Sequence, residues 1–221
     1  MEKGKLIVIE GAIDGIGKST QYDLLYKRLI SENEKVVKYH FPSYNTIQGK
    51  LIEEYLEGKF GKPHELSPYF VNELYATDRA VTWYQDLKKY YDDGYIVLLD
   101  RYTTSSIIYQ SALLPEEDKK DFIHYVMDFE YQKLGIKKPD KVIFLTAPFA
   151  LVQKMRDDRK ENEGIENDIH ERDTSFMQKV YQNALFVADY LSWDKVICNN
   201  GDKMKIIDEI HEEIYKVVKE K

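Results

Sequence analysis

The segment Glu10-Gly11-Ala12-Ile13-Asp14-Gly15-Ile16-Gly17-Lys18-Ser19-Thr20 constrains the fold of this chain more than any other. A short apolar run, residues 6–9, leads straight into it, and a helical pattern follows. Glycines let backbone amides turn inward around an anion with no Cβ in the way. Lys18 can reach the outer oxygens of a polyphosphate, the Ser19 hydroxyl can ligate Mg²⁺, and the helix start adds partial positive charge. The spacing departs from the usual Gly-x4-Gly-Lys-Ser form, because Ala12 stands where the first glycine is expected and Gly11 lies one place earlier. The segment therefore reads as a phosphate-binding turn one residue longer than usual. Gly15, Ile16, Gly17, Lys18, Ser19 and Thr20 are its candidate contacts to a nucleotide such as ATP.

Such a loop needs a sheet edge to stand on, and the remaining pattern supplies one. Apolar runs at 6–9, 36–40, 96–99, 142–145 and 195–198 read as strands covered on both faces, as in parallel sheets. Helical spacing marks 18–30, a segment around 53–56, then 69–91, 119–134, 150–159, 174–191 and 204–218. Pro115, Pro139 and Pro148 fall at the boundaries, where a missing amide costs least. The expectation is one α/β domain over residues 1–221, three layers deep, with a five-stranded parallel sheet between helices. One stretch breaks the pattern: residues 156–173 are nearly all polar, with Ile165 and Ile169 the only large apolar positions. It reads either as a solvated surface loop or as a mobile lid, spanning about 154–173, that carries basic groups over a ligand.

The bulk properties narrow the partners. A net charge of −7 and a pI near 5.4 argue against nucleic acid or an anionic membrane held by bulk electrostatics, so a phosphate must be gripped by local cations and amides. The single cysteine, Cys198, has no intrachain partner, which suits a reducing compartment. The apolar run at 6–9 is far too short for a membrane span. A soluble, cytoplasmic protein is expected.

A second feature lies at the end of the third strand, Asp100-Arg101-Tyr102. An apolar strand ending in aspartate puts a carboxylate at the C-terminal edge of the sheet, where α/β ligands bind. Asp100 there could join Ser19 in holding Mg²⁺, and Arg101 offers a planar fork suited to phosphate. Alone, the pair could equally be a structural ion pair. Beside the phosphate loop, it implies two phosphate groups flanking a metal.

These segments resemble the thymidylate kinase family, and the resemblance runs over most of the chain. The first loop resembles its Glu-Gly-x-Asp-Gly-x-Gly-Lys-Ser/Thr segment with one extra residue. The run from Asp100 to Gln110, DRYTTSSIIYQ, resembles its signature Asp-Arg-Tyr-x-x-Ser-x-x-Ala-Tyr-Gln, the most specific match. Phe41-Pro42-Ser43-Tyr44 and Gly49-Lys50-Leu51 resemble the segment after strand two, and Leu74-Tyr75-Ala76-Thr77-Asp78-Arg79-Ala80 resembles Leu-Phe-Ala-x-Asp-Arg-Ala.

The resemblance implies a P-loop kinase that phosphorylates dTMP to dTDP with MgATP, in dTTP biosynthesis, and that forms a homodimer. It assigns Asp14 to the sugar 3′-hydroxyl, Arg101 to the acceptor phosphate, Tyr75 to stacking on thymine and Arg79 to its O4. Tyr109 falls near the sugar 2′ position, Ser106 beside the base, and Pro42 and Tyr44 in the acceptor segment. Tyr75 and Arg79 are four apart on a helix and so share a face. Family members place a catalytic arginine in the P-loop or in the lid. Here the loop interior, Ile13-Asp14-Gly15-Ile16, has no basic residue, so the charge is expected from the lid, with Arg159 favoured and Arg156 second. Asp168 and Glu171 resemble an acidic pair that could order metal or lid.

Overall fold

A computed structural model describes residues 3–163 and 174–220. The acidic pair Asp168 and Glu171, and half of the expected lid, lie outside the described residues.

Five strands form one wholly parallel sheet: β1 (Lys5–Gly11), β2 (Val36–His40), β3 (Ile96–Asp100), β4 (Lys141–Thr146) and β5 (Asp194–Ile197). Their order is β2-β3-β1-β4-β5, so the phosphate loop leaves the central strand. The three inner strands, β1, β3 and β4, are buried on both faces because their apolar runs are continuous, whereas the edge strands β2 and β5 differ from expectation in leaving most of their residues exposed or half-buried. In β1, Ile7 and Ile9 enter one core and Leu6 and Val8 the other. On the first face lie helices α1 (Lys18–Ser31), α5 (Thr103–Ser111), α6 (Glu116–Met127), α8 (Thr174–Tyr190) and α9 (Ile207–Lys219). Trp83, Leu87 and Tyr91 cover the second, packed on Val97 and Leu99 of β3. The remaining helices are α2 (Ile47–Leu56), α3 (Pro68–Thr82), α4 (Lys88–Asp92) and α7 (Phe149–Glu163). The five strands and the three-layer arrangement agree with the sequence reading.

Several elements differ from expectation. The single long helix expected at 69–91 is α3 and α4 joined by a π-helical turn, Trp83–Leu87, which rotates Trp83 and Leu87 into the second core. The helix expected at 119–134 begins earlier, at Glu116, just past Pro115. Its first turn carries Glu116, Glu117 and Asp118, which suit the positive end of the helix dipole. It ends in another π-helical turn, Asp128–Lys133. The last helix begins at Ile207, because the residues before it form a small antiparallel hairpin of β6 (Asn199–Asn200) and β7 (Lys203–Met204). Helix α5 has no counterpart in the sequence reading.

Candidate active site

The P-loop extends β1: Gly11 still pairs with Leu145, and the Ala12 amide donates to the Leu145 carbonyl at 3.0 Å. The longer loop is accommodated by burying Ala12, Ile13 and Ile16 in the first core, which anchors the turn from below. With its side chain in the core, Ile16 has its backbone left to face a phosphate. Gly15 takes φ +96° and Gly17 φ +88°, conformations that glycine adopts without penalty. Gly17 caps α1 without any side-chain hydrogen bond, and no acidic residue lies in that helix's first turn. The first-turn amides, at Lys18, Ser19 and Thr20, are thus available to an anion.

Strand register builds the metal and phosphate edge. His40, Ile9 and Asp100 are aligned across β2, β1 and β3 at their C-terminal ends. Asp100, 3% exposed, is ion-paired with Lys18, and its other oxygen lies 3.1 Å from His40 Nδ1. Burial pushes the Asp100 carboxyl up, but the His40 hydrogen bond and the Lys18 charge outweigh it and hold the group well below the usual carboxylate range. An ionised carboxylate and the exposed Ser19 hydroxyl are the hard oxygen donors that suit magnesium.

Arg101 follows directly with φ +67°, a left-handed turn that few non-glycine residues adopt and that ends β3. Its guanidinium pairs with Asp14, lies 4.0 Å from Glu10 and 3.4 Å from the Ser105 hydroxyl, and faces the Tyr109 ring at 5.8 Å. Glu10, fully buried, accepts from Thr104 at 2.8 Å and Ser105 at 2.5 Å, tying the P-loop strand to α5. Tyr109 donates to Asp14 at 3.3 Å. For Asp14, burial raises the pKa, but the charges of Arg101 and Lys18 pull it below its ordinary value.

These groups line one cavity of about 280 Å³. It contains every acceptor residue expected from the sequence. Asp14, Pro42, Tyr44, Tyr75, Arg79, Arg101, Ser106 and Tyr109 all line it, and Lys18 and Ser19 open onto the same space. Tyr75 is half-buried and meets Tyr55 edge-on, ring centres 6.2 Å apart. Asp78 accepts the Ser43 amide at 2.8 Å, and Ser43 and Thr82 hydroxyls lie 3.1 Å apart, so α3 pins the turn that carries Pro42 and Tyr44.

The sequence reading missed His40 and Gln110. Gln110 lines the cavity with an Oε1 that has no partner among the described residues. The closing glutamine of the DRY segment pointed to it. His40 had no signal short of strand register.

The two lid arginines differ. Arg159 belongs to α7, but its side chain lies outside the described residues. Arg156 is 7% exposed and packs on the P-loop: a Cβ placed on Gly15 would lie 3.0 Å from the Arg156 Cβ. Its Nε and Nη1 have no hydrogen-bond partner among the described residues. Buried guanidinium donors without partners are costly, which points to an anionic partner.

Comparison with known proteins identifies the family. The sequence model of the thymidylate kinase family matches residues 9–214. The chain is 32% identical to a Prochlorococcus marinus thymidylate kinase over 99% of its own length and 100% of that protein. It is 35% identical to the Schizosaccharomyces pombe thymidylate kinase, a match that spans 65% of this chain and 61% of that one. Among solved structures, Candida albicans thymidylate kinase superposes with a TM-score of 0.74 at 26% identity, covering 98% of this chain and 91% of the other. By the family model over residues 9–214 and the full-length relative, this chain belongs to the thymidylate kinase family.

Proposed function

We propose that this protein transfers the γ-phosphoryl group of MgATP to dTMP, giving dTDP and ADP. The observation that carries the reading is the single cavity that joins Lys18 and Ser19 to Arg101, Tyr75 and Arg79. A donor lying along the P-loop and an acceptor lying between Arg101 and Tyr75 would meet at the edge formed by Asp100. The acceptor phosphate is already a nucleophile near neutral pH, so the protein supplies position and positive charge, with no strong general base required.

Lys18 would leave Asp100 for the donor phosphates, while Arg101 holds the acceptor phosphate in line. Mg²⁺, held by Ser19 and Asp100, would neutralise charge on the donor phosphates. Asp14 would then be free to accept the sugar 3′-hydroxyl, with the Tyr109 ring standing where a 2′-hydroxyl would project. Tyr75 would stack on the base, and Arg79, with Ser106, would meet its carbonyl edge. For the transition-state cation we favour Arg156 over Arg159, because Arg156 already lies against Gly15 with unsatisfied donors.

Among the described residues no helix is long and apolar enough to cross a membrane. We place the protein in the cytoplasm, in line with its acidic charge and buried lone cysteine. A homodimer fits the exposed Ile47 and Leu51 on α2 and Tyr69 and Phe70 on α3. Coupled-assay measurement of ADP release with dTMP and MgATP tests the activity, and light scattering tests the assembly. No ADP above the no-acceptor control would reject the reading.

A further inference from the structure

Glu130 is a fully buried carboxylate to which the proposed chemistry gives no part. It stands on the π-helical turn Asp128–Lys133 that follows α6, a wide turn of the kind often found beside functional sites. That turn aims it at Arg79. Arg79 Nε donates to Glu130 Oε2 at 2.6 Å and Arg79 Nη2 to Glu130 Oε1 at 2.6 Å, a side-on bidentate pair. Thr103, at the start of α5 and itself fully buried, donates to the same Oε2 at 3.1 Å. Three separate elements, α3, α5 and the π-helical turn, thereby converge on one guanidinium.

The geometry divides the donors of Arg79. Nε and one hydrogen of Nη2 are taken by Glu130, and Nη2 also donates to the Ser106 hydroxyl at 2.9 Å. Nη1 makes a single long contact, 3.5 Å, to the Tyr102 carbonyl. Nη1 is therefore the end with donor capacity to spare, and Arg79, Tyr102 and Ser106 all line the cavity. Side-on pairing leaves the guanidinium no freedom to rotate, and a guanidinium has donors alone.

We propose that Glu130 is a specificity-positioning residue, which fixes the Arg79 guanidinium so that the cavity accepts a pyrimidine with a carbonyl at position 4 and disfavours one with an amino group there. This rests on the reading of the cavity as the dTMP site. The physical basis is asymmetric pairing. A 4-carbonyl meets a pre-aimed N–H, whereas the cytosine 4-amino group would bring donor against donor and leave buried N–H groups unpaired. Without Glu130, the guanidinium can turn away or drop into the space the base needs.

The test uses the full-length protein and steady-state kinetics with dTMP, dUMP and dCMP, each at saturating MgATP, together with the ATP KM. The wild type comes first: if it does not phosphorylate dTMP, the dTMP reading fails, and the Glu130 assignment falls with it. Given wild-type activity, Glu130→Gln places an amide NH₂ against an Arg79 N–H and loses one of the two bonds. The expected result is a rise of about tenfold in the dTMP KM, an ATP KM within about twofold, and a lower dTMP-to-dCMP ratio of kcat/KM. Thr103→Val, nearly isosteric, removes the outer support while leaving the ion pair and should raise the dTMP KM about twofold by the same route. If Glu130→Gln does not fold, Thr103→Val decides alone. An unchanged dTMP KM and unchanged acceptor ratio in the folded variants, or an equal loss of kcat on every acceptor, overturns the proposal.

Discussion

Lys18 and Asp100, 82 positions apart in the chain, form an ion pair at the C-terminal edge of the sheet. The P-loop lysine and the acidic strand end are thus partners in this structure, and a donor phosphate taken up by Lys18 would exchange one contact for another. His40, adjacent to Asp100 through strand register, would keep the carboxylate oriented if Lys18 moved to phosphate. Lys18→Ala should lower kcat/KM for ATP by roughly 10²–10³-fold, the usual cost of losing one charge-stabilising donor. His40→Ala should lower it by less, about tenfold, and weaken MgADP binding more than binding of ADP without metal. Calorimetry of the two ADP titrations checks the second point.

The same pair predicts an acid limb. Asp100 titrates below its ordinary value of 3.8 in the folded chain. A lowered carboxylate pKa contributes stability that is complete above the ordinary value and is lost as pH falls through the folded one. Thermal stability of the wild type should therefore fall progressively below about pH 4, and Asp100→Asn should flatten that fall while lowering stability near neutrality. Parallel profiles for the two proteins would contradict the assignment.

Gly15→Ala should harm the P-loop twice. Its φ of +96° strains any Cβ, and that Cβ would press on Arg156 at 3.0 Å. A loss of about 1–2 kcal/mol is expected in chemical denaturation, with a raised ATP KM.

Arg156 offers a separation of stability from function. Because Nε and Nη1 of its buried guanidinium lack partners among the described residues, Arg156→Met should leave thermal stability without nucleotide unchanged or higher. The same change should lower kcat by roughly 10²–10³-fold. Arg159→Met should lower kcat less. The reverse ranking would return the catalytic charge to Arg159.

The legibility of this protein follows its physics. The inner strands were visible because both of their faces are covered, which demands unbroken apolar runs such as residues 6–9 and 142–145. The candidate acceptor residues came from the family resemblance, whose motifs are contiguous because each lies within one helix or turn. Helix α5 was hidden because TTSSIIYQS is buried on nearly every side, so no polar face marks a helical period. The π-helical turns were hidden because they keep helical composition and change only the phase. Contacts between distant elements, Glu10 with Ser105, His40 with Asp100 and Glu130 with Arg79, depend on packing that no local pattern encodes. The position of Arg156 against Gly15 is of the same kind.

The central claim is the acceptor. The most direct measurement is ADP release from MgATP across dTMP, dUMP, dCMP, UMP and thymidine under one set of conditions. The account predicts the highest kcat/KM with dTMP, lower values for UMP, whose 2′-hydroxyl meets Tyr109, and for dCMP, and none for the nucleoside. A preference for dCMP, UMP or thymidine, or ATP binding with no turnover on any acceptor, would contradict it.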